Sequence, residues 1–114
     1  MKQTLKQQLK KNSFSKYKAI KTEVDGIVFH SKKEASRYQV LKLLQRSGMI
    51  EDLTLQPKFN IVINDQKICS YSADFQYKEK GLIVVEDVKG MKTPVYNLKK
   101  KLMFAVYRIK ILET

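Results

Sequence analysis

Ala35, Tyr38, Leu41 and Leu44 recur at three-residue steps, with Val40 and Leu43 beside them. That spacing follows the helical repeat and predicts a helix over about 32–47. Ser31, with Glu34 three residues later, sets a capping-box spacing at its start. Gly48 suits the C′ position that closes it. Just before this helix, residues 22–29 place Asp25-Gly26 between two short β-prone runs, a strong hairpin signal. After it, residues 53–89 read as strands. Phe59 to Ile63 alternates and ends at Asn64-Asp65. Lys67 to Tyr77 reads as one long β-prone stretch, and Glu79-Lys80-Gly81 as a turn. Leu82 to Lys89 is β-branched and apolar except at its end, where Gly90 stops it. A second helix begins at Thr93, with Pro94 at its first position. Its expected buried stripe is Val95, Leu98, Leu102, Ala105 and Val106, with Lys99 and Lys100 facing away. Arg108 to Leu112 reads as a last strand. The order is hairpin, helix, three strands, helix, strand. That order predicts an α/β domain with a mixed central sheet flanked by helices.

Composition adds a size limit and a list of exclusions. The 114 residues, 43% hydrophobic, suit one packed domain over 22–114 behind a basic arm over 1–21. One cysteine (Cys69) and one histidine (His30) rule out disulfide frameworks, zinc fingers and His-rich metal centres. No apolar run approaches the roughly 20 residues that span a bilayer. The N-terminus lacks a signal-peptide apolar core, so a cytoplasmic location is expected.

Charge changes the picture further. The formal net charge is +12, and it is concentrated. Residues 1–22 hold seven basic residues and no acidic one; residues 97–110 hold five and none. The stretch 23–96 is almost balanced, with eleven basic and ten acidic residues. Two basic segments around a near-neutral body point to a polyanion partner, most often nucleic acid. Lys16 and Lys18 in the arm, and Lys99 and Lys100 on the second helix, are the candidate phosphate contacts. No acid lies near the last two in sequence.

Candidate chemistry lies in the balanced middle. In Ile83-Val84-Val85-Glu86-Asp87-Val88-Lys89-Gly90, Asp87 and Lys89 share the strand face of Val85, and Glu86 takes the other. Charges inside a flanked strand need a partner or a metal. They cluster at the C-terminal end of the strand, where α/β active sites collect. Asp74, in Tyr71 to Tyr77, is expected mid-strand in the neighbouring segment. A hairpin turning near residue 80 pairs it close to Asp87. Two adjacent carboxylates repel each other, and a divalent cation reverses that interaction. With the Val88 carbonyl they form a hard oxygen set suited to Mg²⁺ or Mn²⁺. Lys89 would then orient or deprotonate the attacking water, or neutralise charge on a phosphate.

These residues resemble the PD-(D/E)XK nuclease superfamily. Asp74 stands at its first acidic position, and Asp87-Val88-Lys89 matches the (D/E)-X-K triplet. Ala73 replaces the usual proline. The strings KKEASRY, LQPKF, YSADF and VVEDVKG resemble short uncharacterised phage and prophage proteins placed in that superfamily. The order of elements also looks like that of Holliday-junction-resolvase-like endonucleases. The resemblance spans about residues 16–112. It implies a restriction-endonuclease-like core, a metal-binding role for Glu34, a place for Gln56 at the border of the site, and hydrolysis to a 5′-phosphate. Spacing alone explains Glu34 equally well as a helix cap. Glu86 is expected to partner a basic residue, and the tyrosines to serve core and rim.

The resulting expectation is a Mg²⁺-dependent DNA endonuclease acting in phage DNA metabolism. It would hold the backbone without reading sequence and would act as a homodimer, with neither a membrane nor a small-molecule cofactor involved. The alternatives are a non-catalytic nucleic-acid-binding module on the same scaffold, and a small anion- or partner-binding adaptor acting in phage replication or packaging.

Overall fold

The fold is taken from a computed structural model that describes residues 20–114. The chain divides into two compact units, Met1–Ser36 and Arg37–Thr114.

In the first unit, β1 (Thr22–Val24) and β2 (Ile27–Phe29) form the expected hairpin, with Val24 opposite Ile27. Asp25 and Gly26 both take positive φ (55° and 76°), the conformation that a two-residue turn with right-handed strand twist requires. Helix α1 (Lys32–Arg46) starts here and continues into the second unit. The Ser31 hydroxyl accepts the Glu34 N–H at 3.0 Å, as the cap spacing predicts. Gly48 ends the helix at φ 85°, and the Met49 N–H returns to the Leu44 carbonyl.

The second unit holds the sheets: β3 (Glu51–Leu55), β4 (Lys58–Ile63), β5 (Gln66–Ser72), β6 (Phe75–Glu79), β7 (Leu82–Asp87) and, after α2 (Pro94–Tyr107), β8 (Leu112–Glu113). Five strands thus lie between the helices, where three were expected. The difference has a simple cause. Leu55 opposite Phe75 and Lys58 opposite Ser72 keep one register, so β3–β4 and β5–β6 are the two arms of a single antiparallel ribbon. The ribbon bends at Gln56-Pro57 and Ala73-Asp74. Gln56 sits at φ 51° and donates its N–H to the Asp74 carbonyl, and Ala73 donates to the Pro57 carbonyl. Asp74 therefore occupies a corner between strands rather than the middle of one.

Below the bend, β4 and β5 pair with each other. Above it, the main sheet runs β3-β6-β7-β8. β7 is antiparallel to β6 and parallel to β8, so the sheet is mixed and α2 is the crossover. The fold is mixed α/β, consistent with a restriction-endonuclease-like core.

Helix α2 begins as expected. The Thr93 hydroxyl accepts the Tyr96 N–H, and Pro94 stands where no intrahelical donor is needed. Its buried face is different. Tyr96 and Met103 are buried, with Leu102 and Val106 partly so, whereas Val95 and Leu98 are 61% and 58% exposed and Ala105 is exposed. The helix is turned so that Tyr96 and Met103 join Ile61, Tyr71, Ala73, Val85 and Ile111 in one core. Tyr96 wins the inward position because its ring packs while its hydroxyl finds an acceptor. Among the described residues, no helix is long and apolar enough to cross a membrane.

Candidate active site at the end of strand β7

Three consecutive buried residues end β7: Val85, Glu86 and Asp87, each at most 1% exposed. Strand alternation sends the two carboxylates to opposite faces.

On one face, Glu86 is fully engaged. Its Oε2 meets the Arg37 Nε at 2.5 Å and the Thr114 hydroxyl at 3.0 Å. Its Oε1 accepts from a second Arg37 nitrogen at 3.1 Å and from the Tyr77 hydroxyl at 2.7 Å. The expectation that Glu86 partners a basic residue is met by Arg37. The ion pair raises the Arg37 pKa, chiefly through the hydrogen bond to Glu86. Burial, then the Glu86 bond, pushes the Tyr77 hydroxyl up to about 12.

On the other face lies Asp87. Among the described residues, the Tyr71 hydroxyl donates to its Oδ2, and the Lys89 Nζ stands 3.6 Å from the same oxygen. The hairpin register ends with Phe75 facing Glu86, and Asp74 and Asp87 are the next residues along the two chains. The Asp74 N–H donates to the Glu86 carbonyl, and its Oδ2 accepts the Val88 N–H at 2.7 Å. Asp74, Asp87, Val88 and Lys89 are therefore together, with Gln56 joined to Asp74 through the backbone. The Lys89 ammonium lies 4.2 Å from the centre of the Tyr96 ring. Both aspartates act electrostatically on Tyr71 and Tyr96. Burial first, then the bond to Asp87, moves the Tyr71 hydroxyl well above its ordinary value.

A further acid was not expected here. Parallel pairing sets Glu113 beside Asp87, at the edge of the site. Glu113 accepts from the Tyr96 hydroxyl at 2.7 Å and pairs with Lys92 at 3.0 Å and Lys100 at 3.1 Å. The Tyr96 bond, then Lys92, holds its carboxyl down at about 2. Lys100 thus has an acidic neighbour after all. Glu113 is thirteen residues away in sequence, and only the β7-α2-β8 crossover brings the two together. Lys99 lies half-buried on the same helix.

Glu34 belongs to the first unit, where its side chain is buried on the first turn of α1. Lys16 and Lys18 lie outside the described residues. Among the described residues, no three His, Cys, Asp or Glu side chains gather as a metal-binding group. The donors that do gather still suit a hard cation in kind. They are the carboxylates of Asp74 and Asp87, and both described contacts to the buried Asp87 side chain fall on Oδ2 alone.

A family model described as a protein of unknown function (DUF1064) matches residues 14–112. The chain belongs to this family. The match covers the whole of the second unit except its last two residues, so Asp74, Asp87, Lys89 and Tyr96 all fall within the DUF1064 region. No curated protein and no solved structure matches the chain.

Tyr71, Tyr96 and Glu113 are the participants that sequence reasoning missed. Tyr71 carried a usable signal. It shares a strand face with Ala73 and sits on the ribbon arm that leads into Asp74. Nothing in the local sequence marks Glu113.

Proposed function

We propose that this DUF1064 protein is a metal-dependent DNA endonuclease of the PD-(D/E)XK type. The observation that carries the reading is that Asp74 accepts the Val88 N–H at 2.7 Å, between Asp87 and Lys89, with Lys89 3.6 Å from Asp87. An acid pair and a lysine at the C-terminal end of a parallel-paired strand suit phosphodiester hydrolysis.

Asp74 and Asp87 would hold Mg²⁺ or Mn²⁺, with the Val88 carbonyl as a further ligand. A bound divalent ion supplies positive charge for the phosphate and makes water more acidic. The protein's own part is positioning. Tyr71 fixes one Asp87 oxygen and so orients the carboxylate. Lys89, braced over the Tyr96 ring, is placed to orient the attacking water or to neutralise a phosphate oxygen. In-line attack then leaves a 5′-phosphate. Gln56 borders the site on the Asp74 side. Lys99, Lys100, Lys16 and Lys18 supply backbone grip without base readout. Two copies would be needed to cut both strands or a branched junction, in host cytoplasm during phage DNA metabolism.

One observation favours a second reading, a non-catalytic nucleic-acid-binding module. No third ligand side chain joins the two aspartates among the described residues. The two readings separate in one experiment. Plasmid, linear duplex and four-way-junction DNA are incubated with the protein in Mg²⁺, Mn²⁺ or EDTA, beside Asp87→Ala. The nuclease reading expects metal-dependent cutting that the variant loses. Equal DNA binding by both proteins, with no substrate cut in either metal, leaves the binding module.

A further inference from the structure

A cleft of about 590 Å³ lies along α2, lined by Asn97, Lys100, Lys101 and Phe104 of the helix and by Lys110 and Ile111 after it. That volume falls in the ~300–1,000 Å³ range of small-ligand sites. Its lining is unusual for a protein-docking groove. Three of six residues are lysines, one is an aromatic, one an amide. Among the described residues, Lys101 and Lys110 have no acidic partner, whereas Lys100 is tied to Glu113. Phe104 is half exposed, with the Arg108 guanidinium 5.3 Å from its ring centre. An exposed ring backed by a guanidinium and flanked by free cations suits a planar, negatively charged ligand.

The cleft also adjoins the site at the end of β7. Lys100 contributes to its wall and binds Glu113; Glu113 accepts from Tyr96; and the Tyr96 ring carries Lys89. A ligand in the cleft is therefore joined to Lys89 through Lys100, Glu113 and Tyr96.

We propose that this cleft binds an unpaired nucleotide of a DNA strand. The base stacks on Phe104, with the Asn97 amide able to meet its edge, and Lys101 and Lys110 hold the adjoining phosphates. A base paired within a duplex cannot enter a concave site of this size, so the cleft selects DNA with a single-stranded element such as a flap, bubble or open junction. This deepens the nuclease reading and rests on it for the meaning of the selected substrate, though not for the binding itself.

The test reads binding apart from cutting. The protein contains no tryptophan, so Phe104→Trp introduces a single reporter. A short oligothymidylate titrated in EDTA should quench that reporter, and duplex of equal length should leave it nearly unchanged. Phe104→Ala should weaken oligothymidylate binding by about tenfold, measured by anisotropy. The same variant should leave duplex binding within about twofold, since duplex contacts depend on phosphates. Lys101→Ala with Lys110→Ala should lower the single-strand salt slope by about 1.4. Circular dichroism confirms that each variant is folded. If Phe104→Trp is not quenched, or if Phe104→Ala binds both DNAs as the parent does, the cleft proposal is overturned. Equal losses on single strand and duplex overturn it too. Cutting by the parent in Mg²⁺ with no Phe104 effect would leave the nuclease reading standing without the cleft. A Phe104-dependent preference for single strands with no cutting would do the reverse.

Discussion

Glu86 and Asp87 are chain neighbours with the same kind of side chain, and both are withdrawn from water. Their surroundings differ sharply. Glu86 accepts four hydrogen bonds, two of them from one guanidinium, and both its oxygens are occupied. Asp87 meets a tyrosine hydroxyl and a lysine at 3.6 Å, both on a single oxygen. The first arrangement is closed: it joins α1, β6, β7 and the end of β8, and has no capacity left for a ligand. The second sets a buried carboxylate beside another acid and a lysine, which is costly unless something further is bound there. On the proposed reading, the difference separates a carboxylate that holds the fold from one that serves a site, even though a single strand presents both.

The comparison breaks most visibly through activity. Asp87→Asn should lower metal-dependent DNA cutting by more than about a hundredfold, and Lys89→Ala by about 10²–10⁴-fold. Asp87→Asn should lower the urea midpoint little, because the amide keeps the shape and an acceptor for Tyr71 while removing a buried charge. An Asp87→Asn protein that cuts normally would remove the contrast altogether.

The next effect belongs to the Glu86 side. Arg37→Ala leaves a buried carboxylate without its cation and should cost about 3 kcal/mol in urea unfolding. Arg37→Met together with Glu86→Leu should recover much of that loss, since apolar pairs often replace buried ion pairs without penalty. Failure of the double variant to recover would point to a role for Glu86 beyond holding the fold.

Acid dependence tests the edge of the Asp87 side. The Glu113 carboxyl is held at about 2 by Tyr96 and Lys92, against an ordinary value of 4.5. A depressed folded-state pKa contributes stability above the unfolded value and loses it as pH falls. Stability should therefore decline between about pH 4.5 and pH 2. Glu113→Gln should flatten that part of the profile, measured by thermal unfolding.

The smallest effect comes from the tyrosine on Glu86. Tyr77→Phe should cost about 1 kcal/mol, the net worth of one hydrogen bond. Its raised pKa, about 12, means that the parent gains stability from the neutral hydroxyl below pH 10 and loses it as pH rises toward 12. The phenylalanine variant should lack that alkaline loss.

Local patterns read well where one residue type enforces one backbone state. The Asp25-Gly26 turn, the Ser31 cap, the Gly48 stop and the Thr93-Pro94 start all stand where the chain suggested. So does the β6–β7 register, from Glu79 opposite Leu82 to Phe75 opposite Glu86, because a two-residue turn at Lys80-Gly81 sets it. Reading failed where a choice depended on distant partners. The Lys67–Tyr77 stretch looked continuous because both arms of the bent ribbon keep one register, and the bend itself depends on Gln56 and Pro57. The inward face of α2 looked like Val95 and Leu98, because hydropathy undervalues a tyrosine whose hydroxyl has an acceptor.

The amino-acid sequence by itself determined the α/β class, the turns and caps, and the acid-x-lysine triplet facing an aspartate across a hairpin. Each follows from interactions a few residues apart or from one tight turn. Tertiary structure alone decided that Arg37 saturates Glu86, that Tyr71 orients Asp87, and that Glu113 joins Tyr96 and Lys100 beside the site. These contacts span 13 to 49 residues. They exist because the β7-α2-β8 crossover and the bent ribbon bring separate segments to the end of one strand.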